Sequence, residues 1–152
     1  MSAHAGRWKG LPILSELPET ACDAVEEEIE EQTLERGTRL FSEGEEEGSL
    51  WILLEGRVRV TSQRLGFAAE LGPAAALGGL ALIGGPRRAS VETVSRCRLL
   101  RLGRDGFRRL AASDPASAER LVESLARESA RRADEALAAR LRAGVDPPSA
   151  DD

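Results

Sequence analysis

The sequence predicts a mainly β domain framed by helices, and three observations carry that reading. Between Gly37 and Leu102, short apolar runs are broken every few residues by glycine, the pattern of short antiparallel strands. Before them, Ala21, Val25 and Ile29 recur four residues apart. After Leu102 a helical period returns and persists to about Arg142. The order is therefore helix, a set of short strands, then helices.

Leu17-Pro18-Glu19-Thr20 opens the first helix, whose narrow apolar stripe is Ala21, Val25 and Ile29. Glu26, Glu27, Glu28, Glu30 and Glu31 fill its other faces. Neighbouring glutamates on a helix point in different directions, so the run reads as a solvated face and not as a metal site. Strands are expected at Arg39-Leu40-Phe41, Ser49 to Leu54, Arg57 to Thr61, Phe67 to Leu71, Ser90 to Thr93 and Cys97 to Leu102. Glu55-Gly56 between two of them is a tight hairpin signal. In the last strand Cys97, Leu99 and Leu100 are the candidates to face inward. Phe107 and Leu110 mark a further helix, and Ser113-Asp114-Pro115 starts a long one, because an Asp before a first-turn proline is a helix start. Ala143-Gly144 and Pro147-Pro148 stop it.

The 152 residues suffice for one domain with its own core. With 41% hydrophobic and 31% charged residues, the composition is that of a globular protein and not of a disordered one. No apolar run reaches the length of a membrane span. Arg7 and Lys9 are not followed by an apolar segment, since Pro12, Ser15 and Glu16 interrupt it, so no secretory signal is expected. Cys22 and Cys97 stand alone without metal or disulfide spacing, which fits a reducing cytoplasm. The net charge of -5 conceals an asymmetry: residues 1–50 carry 4 basic and 13 acidic side chains, residues 86–142 carry 14 and 8. Many of those arginines alternate with acids on the long helix, which points to a solvated face and not to nucleic acid.

Catalytic chemistry finds little support. His4 is the one histidine, so neither a metal cluster of histidines nor a hydrolytic triad can be assembled, and no catalytic or metal-binding residues are assigned. Gly78-Gly79 lacks the surroundings of a Walker or dinucleotide motif. Enzymatic activity is not expected. Arg87-Arg88-Ala89-Ser90 has the form of a basophilic kinase substrate, but Ser90 falls inside an expected strand.

The chemistry that does emerge lies between Leu77 and Val91. Two glycines, Gly78 and Gly79, precede the apolar turn Leu80-Ala81-Leu82-Ile83; Gly84-Gly85-Pro86 and the arginines Arg87 and Arg88 follow, then Ala89-Ser90-Val91. Backbone N–H groups in a glycine-rich turn can approach an oxyanion closely, and an adjacent arginine can hold it with a fork of donors.

This stretch resembles the phosphate-binding cassette of cyclic-nucleotide-binding domains, the modules of catabolite-activator-type regulators, kinase regulatory subunits and gated channels. Phe41, Gly44 and Glu45, Trp51 before an apolar run, Gly56 in a hairpin, and Leu71-Gly72-Pro73 before the cassette are in register with the same family, from about Leu14 to Leu141. The resemblance implies an eight-stranded, jelly-roll-like β-roll with one N-terminal helix, a short cassette helix and two C-terminal helices. Residues 14–142 are the expected domain, after a flexible N-terminus at 1–13 and before a disordered tail at 143–152. No helix-turn-helix follows the long helix, so no DNA-binding module is expected.

The resemblance places the ligand at Gly78, Gly79, Leu80, Ala81, Arg87, Arg88, Ala89 and Ser90. Backbone amides from Gly78 to Leu82 would cradle the phosphate and Arg87 would bind it; with the register shifted by one, Arg88 takes that place. Ser90 would face the purine. The implied ligand is cyclic AMP, cyclic GMP or another phosphate-bearing small molecule. Gly79 stands where the family carries its ribose-binding glutamate, and a hydrogen bond to a charged acceptor contributes about 1.5–3 kcal/mol, so cyclic-nucleotide binding is expected to be weak or absent. Two readings follow: a regulatory sensor whose ligand moves the C-terminal helices, or a degenerate domain that binds no small molecule and serves protein interaction or assembly. In both, a protein partner or a second copy would dock through the helix 115–142, where Ala118, Leu121, Val122, Leu125, Ser129, Ala133, Ala136, Leu137 and Leu141 share a face.

Overall fold

The computed structural model describes residue 8 and residues 10–144. Eight strands form two antiparallel sheets. One has the order β1 (Glu30–Leu34), β8 (Cys97–Leu102), β3 (Leu50–Glu55), β6 (Ala76–Leu77). The other has β2 (Arg39–Phe41), β7 (Ser90–Thr93), β4 (Val58–Ser62), β5 (Phe67–Leu71). Helices α1 (Pro12–Ser15) and α2 (Glu19–Glu26) precede the strands, and α3 (Arg104–Ser113) and α4 (Pro115–Arg142) follow them. A 3-10 turn, Gly79–Ile83, sits between β6 and β7. This is the eight-stranded roll that the resemblance implies, with the short α1 added at its N-terminal end.

The central strands β3 and β8 are buried on both faces, which is why their sequences are nearly unbroken apolar runs. Their alternation sorts two cores. Trp51, Leu53, Cys97 and Leu99 point between the sheets and pack with Phe41, Val58, Leu77 and Val91. Leu50, Ile52, Leu100 and Leu102 point the other way, against Leu14, Val25, Leu110, Leu121 and Leu125 of the helices. Leu99 and Leu100 are thus both buried, on opposite faces.

Three expectations need correction. Glu30 and Glu31 are not on the first helix, which ends at Glu26; they begin β1, paired with β8. Cross-strand pairing rescues this charged segment, with Glu31 bound to Arg98. Glu55-Gly56 does not close a hairpin, because β3 and β4 belong to different sheets. Gly56 turns the corner between them with φ +99, and the hairpin is β4–β5. Within the stretch expected to be a flexible leader, Trp8 and Ile13 are buried against the helical core; residues 1–7 and 9, like the tail from 145, lie outside the described residues.

Candidate functional site

The site forms where β6, the 3-10 turn and the start of β7 face α4. Gly78 precedes the turn in the left-handed region, φ +70, which a glycine adopts without strain. It also has no room for a side chain, since a Cβ there would overlap Nη1 of Arg87.

Arg87 is 3% exposed and is held from several sides. Its Nη1 donates to the Gly78 carbonyl at 2.7 Å, and its Nη2 to Glu47 Oε2 and to the Ser49 carbonyl, both at 2.6 Å. The guanidinium lies 3.8 Å from the centroid of the Phe41 ring. Backbone bonds fix its peptide as well: Arg87 N–H donates to Glu45 O, and Gly44 N–H donates to Arg87 O. Burial lowers the Arg87 pKa, and the Glu47 carboxylate partly offsets that. For Glu47, burial acts in the opposite sense, but the hydrogen bonds from Ser49 and Arg87 outweigh it and hold the carboxyl below the usual range. Among the described residues, nothing accepts from Arg87 Nε.

A second arginine holds the turn from outside. Arg104, at the start of α3, donates through Nη2 to the Ala81 carbonyl at 2.9 Å and packs against Gly48, where a Cβ would overlap its guanidinium. One arginine thus holds the carbonyl just before the turn and the other a carbonyl in its middle.

Between the turn and α4 is a cavity of about 430 Å3, within the range of small-molecule sites. Phe41, Val60, Leu77, Ile83 and Val91 give it apolar walls, Arg87 and Arg88 stand on the cassette side, and Leu125, Glu128, Ser129 and Arg132 close it from α4. Gly79 lies directly under Leu125, as a Cβ at 79 would be 2.6 Å from Leu125 Cδ2.

Of the candidate residues, Gly78, Gly79, Ala81, Arg87, Arg88 and Ala89 line this cavity, and Leu80 belongs to the turn. Ser90 is turned elsewhere: its Oγ accepts from Glu43 N–H at 2.8 Å, tying β7 to the preceding loop. The sequence gives no sign that Glu47, Arg104 or the Phe41 ring serves the site, nor that α4 covers the cavity. In the sequence, Leu125 and Ser129 show only as residues of one helix face. Glu47 sat in a run of glutamates with nothing to single it out, and contacts across such distances in sequence have no local signal.

The long helix starts as expected, with Asp114 accepting from Ser117 N–H. Arg132 pairs with Glu128, and Arg127 reaches across to Glu16 of the N-terminal segment. Ala118, Leu121 and Leu125 are buried against the protein's own helices and sheet, whereas Ser129 and Leu141 are exposed. No helix among the described residues is long and apolar enough to cross a membrane, and no cluster of metal-ligating side chains occurs among them.

Comparison with known proteins agrees with this geometry. The family model described as "Cyclic nucleotide-binding domain" matches residues 31–114. The cAMP-dependent protein kinase regulatory subunit of Yarrowia lipolytica is 32% identical over 111 residues, 72% of this chain and 30% of that protein. A CRP-like cAMP-activated global transcriptional regulator of Mycobacterium tuberculosis is 29% identical over 130 residues, 82% of this chain and 55% of that protein. The chain thus spans about a third and about half of the lengths of these relatives. Among solved structures, a cyclic nucleotide-binding domain from Methylobacillus flagellatus superposes with a TM-score of 0.77 at 20% identity, over 91% of this chain and 85% of that one.

Proposed function

The chain belongs to the cyclic nucleotide-binding domain family, and from that premise we propose that it is a regulatory module, not an enzyme, that senses a phosphate-type anion in the cavity beside Arg87. The observation that carries this reading is the shared cavity itself. One wall is the cassette, with Gly78, Arg87 and Arg88, and the other is α4, with Leu125, Glu128 and Arg132. A ligand entering between them contacts both, so binding would shift α4 relative to the roll. The module would act in the cytoplasm, passing that shift to a protein partner or a second copy along the helix 115–142.

Gly79 takes the position at which the family carries a ribose-binding glutamate, so cyclic nucleotides would bind weakly. Arg87 remains the phosphate ligand through Nε, the donor that has no acceptor among the described residues. A domain end near 142 belongs to the same proposal, whereas its start lies before 14, since Trp8 and Ile13 are part of the core.

A thermal-shift screen with cyclic mononucleotides, cyclic dinucleotides and nucleoside phosphates tests the reading. A ligand at a hundred times its Kd stabilises by about 2.7 kcal/mol, a readily measured shift. Stabilisation that disappears in Arg87→Ala, together with altered amide exchange in α4, is the expected result. No response to any anion would favour the second reading, an interaction module without a small-molecule ligand. One observation supports that alternative: Arg87 already has its charge balanced by Glu47 and two carbonyls capped within the protein.

A further inference from the structure

We propose that β5 is a docking edge for a second copy of this chain, the two β5 strands pairing antiparallel about a two-fold axis at Ala69. The proposal is independent of any ligand in the cavity.

β5 ends its sheet, whose order is β2-β7-β4-β5. The neighbouring pairings fix where its free main-chain groups point. Val94 N–H donates to Arg57 O, whereas Thr93 N–H donates to Thr38 O on the β2 side. Main-chain direction alternates along a strand, so Arg57, Arg59 and Thr61 bond toward β7, and Val58, Val60 and Ser62 bond toward β5. Their partners there are Leu71, Ala69 and Phe67. The N–H and C=O groups of Ala68 and Glu70 therefore point away from the sheet, and nothing among the described residues bonds to them.

Edge strands of soluble proteins are usually short, bulged or charged, which discourages such pairing. Among the described residues, the other edges follow that rule. β6 has two residues, β2 has three with a register shift, and β1 carries Glu30 and Glu31. β5 departs from it, with five residues in unbroken register and no proline. Residues directly opposite share a face, so Phe67, Ala69 and Leu71 lie on the same face as Val58 and Val60. Phe67 and Ala69 are nevertheless exposed there, and that face of the edge bears no charge.

The same edge fits this one. With the axis at Ala69, each Ala68 meets Glu70 of the second copy, and the outward N–H groups of both strands find carbonyls. On the inner face Phe67 stands opposite Leu71 of the second copy and Ala69 opposite Ala69, so apolar meets apolar. On the outer face Glu70 meets an alanine and keeps its own Arg57 and Arg59. An axis at Glu70 would instead oppose two carboxylates, which disfavours it. So short a strand buries less than a standard interface, and the dimer belongs to the weak, transient class.

Sedimentation velocity of the full chain from about 10 µM to about 1 mM should show reversible dimerisation, with the amide resonances of Ala68 and Glu70 shifting as concentration rises. Ala68→Pro removes an outward N–H and spares the bonds to β4, so it should fold normally and dimerise roughly tenfold more weakly. Ala69→Lys and Ala69→Glu each set like charges face to face at the axis. Each variant should be monomeric alone, and an equimolar mixture of the two should dimerise. The mixture keeps the test decisive if the proline variant does not fold. A native chain that stays monomeric throughout that range overturns the proposal. So does a dimer that tolerates both charged variants, which would put the second copy on another surface such as α4. Either failure leaves ligand binding in the cavity untouched.

Discussion

Leu125 lies on Gly79. A Cβ at position 79 would stand 2.6 Å from Leu125 Cδ2 and 3.1 Å from Cδ1, so α4 meets the cassette turn with no side chain between them. Leu125 is itself 3% exposed. A side chain at 79 and the present placement of the Leu125 methyl groups are mutually exclusive, so residue 79 constrains a side chain 46 residues further along the chain.

That exclusion is measurable by a double-mutant cycle in urea. Gly79→Ala should cost about 1–3 kcal/mol by overpacking. Leu125→Ala should cost about 2–5 kcal/mol through the cavity that it leaves. Combined, the two should cost less than their sum by about 0.5–3 kcal/mol, because the smaller residue at 125 makes room for the new methyl. Strict additivity would show that the two positions do not share this space.

Glu47 predicts a pH dependence. Its burial favours the neutral acid, but hydrogen bonds from Ser49 and Arg87 and the charges of Arg87 and Arg101 prevail, and the carboxyl sits below its ordinary 4.5. A carboxyl whose pKa is lower folded than unfolded adds stability above the unfolded value and loses it as pH falls through the folded one. Stability should therefore be level above about pH 5 and decline below it. Glu47→Gln should cost about 1–3 kcal/mol at neutral pH, toward the lower end because the side chain is 34% exposed. It should also flatten the acid decline. Glu43, Glu70 and Glu128 shift the same way, so part of the slope should persist. An unchanged profile in the variant would count against the Glu47–Arg87 clamp.

Gly56 tests the corner between the sheets. Its φ of +99 disfavours a side chain, and a Cβ would lie 2.5 Å from the Arg96 carbonyl oxygen and 2.7 Å from Cys97 Sγ. A backbone carbonyl cannot swing aside as a flexible side chain can. Gly56→Ala should destabilise by at least ~2 kcal/mol, whereas Gly66→Ala, at φ +67 in open space, should cost only ~1 kcal/mol. Equal losses in equilibrium unfolding would remove the steric part of the explanation.

Arg104 should control the turn without entering the cavity. Arg104→Ala removes the donor to Ala81 O and should cost about 1 kcal/mol. Amide exchange should accelerate across residues 79–84 and stay unchanged in the β4–β5 hairpin. Uniform acceleration throughout the chain would mean that Arg104 supports global stability and not the turn.

Much of this was legible locally. Apolar runs at Leu50 to Leu54 and Cys97 to Leu102, the Asp114-Pro115 helix start and the glycines around Leu80-Ala81-Leu82 each announce their conformation through neighbouring residues. Two strands escaped notice for physical reasons. The Glu30–Leu34 segment is charged and owes its strand to pairing with β8. The Ala76–Leu77 strand has two residues, too few for any period to show.

By itself, the sequence determined the order of elements, the family and the cassette containing Gly78 and Arg87, because backbone propensity and side-chain alternation act over a few residues. Only the tertiary structure decided that Gly56 turns a corner between sheets, that Ser90 serves the Glu43 loop, that Glu47 neutralises Arg87, and that Leu125 covers Gly79. Each of those joins residues distant in the chain, where the governing terms are excluded volume and the cost of an unpaired buried charge. Such terms act only after the sheets and helices have packed.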